Sequence, residues 1–164
     1  MPLNIRKLQE NDKELFLSFL NSFYHSEAVL HPTDSVLHLN IFNEIIRSDT
    51  YLLCYIFELE GEAVGYALLS KCFCPEVGGS IIWIEQLYIN EAYRGKGVAG
   101  EFLSFIEKEF GPDRIRLEVE EENEKAISLY KKNGYRFLPY LQMVKDKQCG
   151  PRTKGPRVRL VSWQ

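Results

Sequence analysis

The densest chemical signal in the chain is the run Arg94-Gly95-Lys96-Gly97-Val98-Ala99-Gly100. It lies between an apolar stretch of strand character and a stretch of helical periodicity, so its backbone opens a helix. The first turn of a helix carries unpaired N–H donors and a partial positive charge, which together bind phosphate-like anions. Glycine lets an anion approach the backbone closely, and Arg94 and Lys96 add full charges. Taken alone the run is ambiguous. Gly95, Gly97 and Gly100 also fit the dinucleotide pattern G-x-G-x-x-G, with Glu118 and Glu120 near the distance of a ribose-binding acid. Against that reading, residues 90–94 separate the glycines from the strand, and the remaining chain is short for a second mononucleotide half. A basic strand-to-helix turn without a ligand is the third reading. The pattern G-x-x-x-x-G-K-[ST] is absent.

Two other places carry groups able to move protons. Glu85-Gln86 interrupts the apolar run from Ile81 to Ile89. Strand alternation aims the two side chains at opposite faces, one toward a cleft and the other in need of a polar exit. Asn123 and Tyr130 are seven residues apart on a helix, so they share a face at a separation of about 10 Å. Metal chemistry is not expected. Cys72-Phe73-Cys74 has the wrong spacing for zinc pairs, Cys54 and Cys149 are scattered, and a helical pair among His25, His31 and His38 would place Pro32 inside the helix.

The elements that must position these groups are legible from periodicity. Residues 3–8 read as a strand. Asn11 and Glu14 form a capping box that opens a helix carrying Leu15, Phe16, Phe19, Leu20 and Phe23 and ending near Tyr24. Leu39, Phe42 and Ile46 predict a second helix, capped at Thr33, Asp34 or Ser35. The runs 51–57 and 63–69, joined by Glu60-Gly61, predict a hairpin. A loop over 74–79 and a strand over 81–89 follow. Val98, Phe102, Ile106 and Phe110 predict a third helix, stopped by Gly111-Pro112. Residues 115–119 alternate as a half-buried strand. Asn123 opens a fourth helix that ends at Gly134. The stretches 135–138 and 141–145 are expected to be short closing strands.

Composition bounds the rest. The chain has 164 residues, 45% hydrophobic and 13% aromatic, enough for one domain with one sizeable core. The net charge is −3, but the segment after Asp146 holds five basic residues and no acid, so residues 1–146 carry −8. An acidic body favours cationic partners over nucleic acid, and a solvated acidic surface explains it equally well. No apolar run approaches the roughly 20 residues of a membrane span, and no secretory pattern opens the chain. A soluble cytoplasmic protein without membrane association is the expectation. Residues 1–147 are expected to form the domain and 148–164 a basic tail containing Pro and Gly. Three readings of that tail stay open: a disordered extension, an appended or altered C-terminus, or a strand built from Val158, Leu160, Val161 and Trp163.

Arg94, Gly97 and Ala99 also satisfy the acyl-CoA loop pattern [RQ]-x-x-G-x-[GA]. It is preceded by Ile84-Glu85-Gln86-Leu87-Tyr88-Ile89 and Glu91-Ala92-Tyr93, and followed by a strand and then Asn123, Tyr130, Gly134 and Tyr135. This ordered set resembles the Gcn5-related N-acetyltransferase superfamily, by element order over residues 3–147 and tightly over 84–137. The layout is most similar to small diamine and polyamine acetyltransferases. The resemblance implies a mixed α/β fold, with a mostly antiparallel, splayed sheet of six or seven strands and about four helices. It implies transfer of acetyl from acetyl-CoA to a primary amine by direct attack, with no metal. The pyrophosphate would lie on Gly95, Lys96, Gly97, Val98, Ala99 and Gly100 beside Arg94. The pantetheine arm would run along Leu87, Tyr88 and Ile89, with Asn123 nearby. Tyr130 would protonate the departing sulfur, and Glu85 would act as base or hold the substrate cation. Tyr24, His25 and Glu27 would wall the acceptor amine. A homodimer is common in the family. A non-catalytic acyl-CoA sensor is the alternative, although a sensor needs neither Glu85 nor Tyr130. The family commonly closes its sheet with two strands, the last running past position 145; here the tight link at Pro139 and the basic tail depart from it.

Overall fold

Leu53, Tyr55 and Phe57 alternate with Cys54 and Ile56 along one strand, and the two sets are buried in different cores. That is the behaviour of a sheet covered on both faces, and it explains why the sequence reads there as an unbroken apolar run. The computed structural model describes residues 2–26 and 34–145. The elements are β1 (Leu3–Lys7), a 3-10 turn (Glu10–Asp12), α1 (Lys13–Tyr24), α2 (Ser35–Arg47), β2 (Leu52–Leu59), β3 (Glu62–Cys74), β4 (Gly79–Ile89), a second 3-10 turn (Glu91–Tyr93), α3 (Val98–Phe110), β5 (Arg114–Leu117) and α4 (Glu124–Lys132). The strands form one sheet in the order β1-β2-β3-β4-β5. Neighbours are antiparallel except β4 and β5, which are parallel and therefore need the crossover that α3 supplies. The core on one face takes Val98, Phe102, Leu103 and Ile106 from α3. The core on the other takes Phe16, Phe19, Leu20 and Phe23 from α1 and Phe42 from α2.

Several sequence expectations are met. α2 is capped by Asp34, whose carboxylate accepts from the Val36 N–H at 3.0 Å. Asn123 caps α4 by accepting from the Ala126 N–H at 3.1 Å. α3 begins at Val98, directly after Gly97, so the glycine run does open a helix.

Others are corrected. The entry to α1 is set by Asp12 rather than by an Asn11–Glu14 box. The Asp12 carboxylate accepts from the Gln9 N–H at 2.8 Å and from both terminal nitrogens of Arg6 at 2.7 and 2.9 Å. A charge-assisted fork outcompetes a neutral asparagine cap. The hairpin is longer than 63–69 suggests, because β3 continues to Cys74 beside β4. Among the described residues the sheet has five strands, not six or seven. Residues 135–145 hold no strand. Phe137, Tyr140, Leu141, Met143 and Val144 stand exposed there, and no ladder fixes that backbone. The call on residues 148–164 lies outside the described residues.

Candidate active site

β5 pairs with β4 from Ile81–Arg114 to Ile84–Leu117 and no further, while β4 runs on to Ile89. The β5-facing edge of Glu85 to Ile89 is thus left without a strand partner among the described residues, and the sheet opens where the expected splay lies. α4 faces this opening. Together they bound a cleft of about 1220 Å³, lined by β4 from Trp83 to Leu87, by residues 112–120, by Asn123 and by Ala126, Ile127 and Tyr130 of α4, by Tyr135, and by Phe23 and Tyr24 of α1.

At the mouth of the opening β4 carries one extra residue. Leu68 pairs with Gln86 but Leu69 pairs with Ile84, leaving Glu85 bulged. A bulge shifts the alternation of side chains by one. Before it, Ile82 and Ile84 pack with the α3 core; after it, Leu87 and Ile89 do so. Glu85 and Gln86 therefore do not point to opposite faces, as simple alternation requires. Both turn to the face covered by α1 and α2. Glu85 is exposed there and its carboxylate accepts from the Ser70 hydroxyl. Gln86 is buried. Its carbonyl accepts from the Tyr66 hydroxyl and its amide donates to the Tyr24 hydroxyl, each at 2.8 Å. Tyr66 is fully buried, so its proton fixes which way the Gln86 amide points. The Tyr24 ring in turn stacks on His38 at 5.2 Å. Burial lowers the His38 pKa, which keeps that imidazole neutral at neutral pH. This Tyr66–Gln86–Tyr24–His38 chain was not foreseen. Its one signal in the sequence was a polar pair inside an apolar strand.

Across the opening, α4 ends in a Schellman motif. The Gly134 N–H donates to the Lys131 carbonyl at 3.1 Å and the Tyr135 N–H to the Tyr130 carbonyl at 3.0 Å, with Gly134 at φ +83°. That motif brings the side chains at its two ends into contact, and here they are Tyr130 and Tyr135, with ring centroids 5.6 Å apart. Both are partly buried against the α3 core. Burial pushes the Tyr130 phenol up to about 12 and raises that of Tyr135 further. The Tyr135 hydroxyl is buried without a hydrogen-bond partner among the described residues.

The glycine run lies outside the cleft lining, at the N-terminus of α3. Gly95 and Gly97 stand at φ +76° and +87°. The Arg94 side chain donates from Nε to the Ile89 carbonyl at 3.0 Å, and the Lys96 ammonium lies 4.6 Å from the Tyr93 ring centre. The structure thus gathers Tyr24, Glu85, Leu87, Asn123 and Tyr130 around one cleft, with Tyr88 and Ile89 continuing along the open strand. His25 is not among the lining residues; it is exposed, with Nδ1 2.7 Å from the Asn21 carbonyl. Glu27 lies outside the described residues. Among the described residues no group of three or more His, Cys, Asp or Glu side chains could hold a metal, and no helix is long and apolar enough to cross a membrane.

The sheet opened at β4, the glycine-rich start of α3 beyond it and the Tyr130 phenol in the cleft are the geometry against which the comparisons are set. Residues 14–135 match the acetyltransferase (GNAT) family model. The chain belongs to that family, and it is an N-acetyltransferase. It is 27% identical over 139 residues to the uncharacterized N-acetyltransferase YhfO of Bacillus subtilis, covering 81% of this chain and 89% of that one. It is 27% identical over 150 residues to a thialysine N-epsilon-acetyltransferase of Sus scrofa, covering 82% and 84%. A spermine/spermidine N(1)-acetyltransferase of Bacillus subtilis is 30% identical over 84 residues, 48% of this chain and 55% of that one. In fold it is similar to AAC(6')-Iy in complex with the bisubstrate analogue CoA-S-monomethyl-acetylneamine, with a TM-score of 0.72 at 16% identity, covering 90% of this chain and 99% of that one.

Proposed function

We propose that the protein transfers acetyl from acetyl-CoA to the amine of a small molecule, with the thioester held where β4 opens away from β5. The observation that carries this is the Glu85–Ile89 edge, which has no β5 partner and opens on the cleft that the partly buried Tyr130 phenol also lines. The residues present suit a CoA-like donor. An open strand edge offers backbone N–H and C=O groups to an amide-containing arm and a donor to the thioester carbonyl. The start of α3, with Arg94 and Lys96, suits a pyrophosphate. Among the described residues the Tyr135 hydroxyl beside Tyr130 has no hydrogen-bond partner, so a polar group is expected to satisfy it. The names of the relatives, which cover thialysine and spermine or spermidine, support a small amine as acceptor.

In this reading the amine nitrogen bonds to the acetyl carbon, the carbon–sulfur bond breaks, and the nitrogen gives up a proton. Glu85 takes that proton, directly or through water, or holds the ammonium before it is lost. Tyr130 donates a hydrogen bond to the sulfur as negative charge builds there. With its pKa pushed to about 12, the phenol keeps its proton against a thiolate of pKa about 8.5, so its part is to stabilise the leaving group rather than to hand the proton over fully. The test is titration with acetyl-CoA in a calorimeter, with NAD as control, followed by thiol release over a panel of amines. Binding of acetyl-CoA but not NAD, with amine-dependent release, is expected. Binding of NAD alone would return the glycine run to the dinucleotide reading.

A further inference from the structure

We infer that the acceptor carries a carboxylate as well as the amine to be acetylated, and that Arg116 binds it. The inference rests on the acetyl-transfer reading of the cleft. Arg116 on β5 is paired in register with Trp83 on β4, and both line the cleft. The guanidinium lies over the Trp83 ring, 4.7 Å from its centre, and the residue is half-buried. Among the described residues no carboxylate comes within ion-pair distance of it. Arg114, two residues earlier on the same strand, is already taken by Glu76 at 2.7 Å. Glu118, two residues later, is exposed and makes no ion pair with Arg116. Among the described residues this half-buried guanidinium has gained the face of an indole and the field of Glu76, whose carboxylate is bonded to Arg114 instead. Its planar fork of N–H donors is left available, and the partner that fits such a fork is a carboxylate, held by two parallel hydrogen bonds.

Its position relative to Glu85 gives the substrate class. Trp83 and Glu85 are successive residues on the same face of β4. One strand spacing across and two residues along place the Arg116 and Glu85 α-carbons about 8 Å apart. The wall of the cleft thus presents a carboxylate for an ammonium and, a few carbon atoms away, a guanidinium for an acid. A diamine or polyamine would set its second cation against Arg116. An amino acid with a side-chain amine satisfies both groups. The geometry therefore points to amino-acid-like acceptors over their decarboxylated counterparts.

Lysine and cadaverine differ only by the carboxylate, as do ornithine and putrescine. Thiol release from acetyl-CoA should favour the acid of each pair in kcat/KM by about 10- to 100-fold, as expected for one charge-assisted pair. In Arg116→Gln the ratio should collapse toward one, through KM for the acid. Arg116→Lys keeps the charge without the fork and should give an intermediate ratio, and thermal unfolding of each variant reports on its fold. Diamines used as well as or better than the acids by the wild type would overturn this inference alone. A preference for acids that survives in Arg116→Gln would overturn the assignment to Arg116. Thiol release with no amine at all would overturn the transfer reading, and this inference with it.

Discussion

At the scale of single residues, the two protonic groups of the site are set apart by their surroundings. Glu85 is exposed on a bulge beside Ser70, whereas Tyr130 is pressed against the core, where loss of water disfavours the phenolate. The sign matters for pH dependence. A phenol whose pKa is raised from about 10 to about 12 stays protonated through the whole working range. Any alkaline limb of the rate profile below about pH 10 therefore belongs to another group. Tyr130→Phe should lower kcat by about 100-fold, leave acetyl-CoA affinity unchanged in the calorimeter, and retain the same alkaline limb. A limb below pH 10 that vanishes in the variant would show that the phenol ionises there and that the burial argument is wrong. Tyr130 and Glu85 entered the sequence reading through the resemblance to the family motif, and the structure places both on one cleft. Gln86 with Tyr24, and Trp83 with Arg116, were not legible in the sequence. Each is a pairing across strands or layers, and a register is invisible in one dimension.

At the scale of elements, two glycines place the reacting groups, for different physical reasons. Gly134 holds the left-handed turn that closes α4 and folds Tyr135 back onto Tyr130. A Cβ there would meet nothing within 4 Å, so Gly134→Ala pays only the conformational cost of about 1–2 kcal/mol. Calorimetric unfolding should show that loss, and kcat should fall further than acetyl-CoA affinity, because the phenol is what moves. Gly65 is the opposite case. Its backbone is ordinary, but a Cβ would lie 2.2 Å from the Tyr88 carbonyl oxygen and 3.0 Å from the Ile89 Cα. Gly65→Ala must push β4 away at the open edge. It should cost about 1–3 kcal/mol of stability and weaken acetyl-CoA binding, an effect that titration would detect. Unaltered affinity in a folded Gly65→Ala protein would remove Tyr88 and Ile89 from the donor site. The helix-stopping role of Gly134 was read from its place after the last periodic residue. The role of Gly65, and the bulge at Glu85, depend on how two strands meet, and local propensity carries no trace of either.

At the scale of the whole molecule, the element order was readable because apolar runs and helical periods are long-range patterns. The number of strands was not. Residues 135–145 carry strand-like side chains, yet a strand exists only where a neighbour accepts its hydrogen bonds. What ties the far edge of the sheet to the first helix is an ion cluster. Arg6 on β1 bonds Asp12 at the entry to α1 and, through Nε, Glu58 on β2 at 2.7 Å. The Arg6 side chain is 29% exposed, with Asp12 at 9% and Glu58 at 19%, so solvent screens the cluster only in part. Hydrogen bonding to Arg6 lowers the pKa of both carboxyls. Groups with a depressed folded pKa contribute stability that is complete above their ordinary values, about 3.8 and 4.5. That contribution is lost as pH falls below those values toward the lower, folded ones. Asp12→Asn should therefore cost about 2 kcal/mol at neutral pH, measured by denaturant unfolding. The gap between variant and wild type should stay constant down to about pH 5 and shrink below it, because acid removes from the wild type the same charge that the substitution removed. A gap that stays constant to pH 3 would mean that the charge of Asp12, which both Arg6 and the Gln9 N–H favour, contributes little to stability.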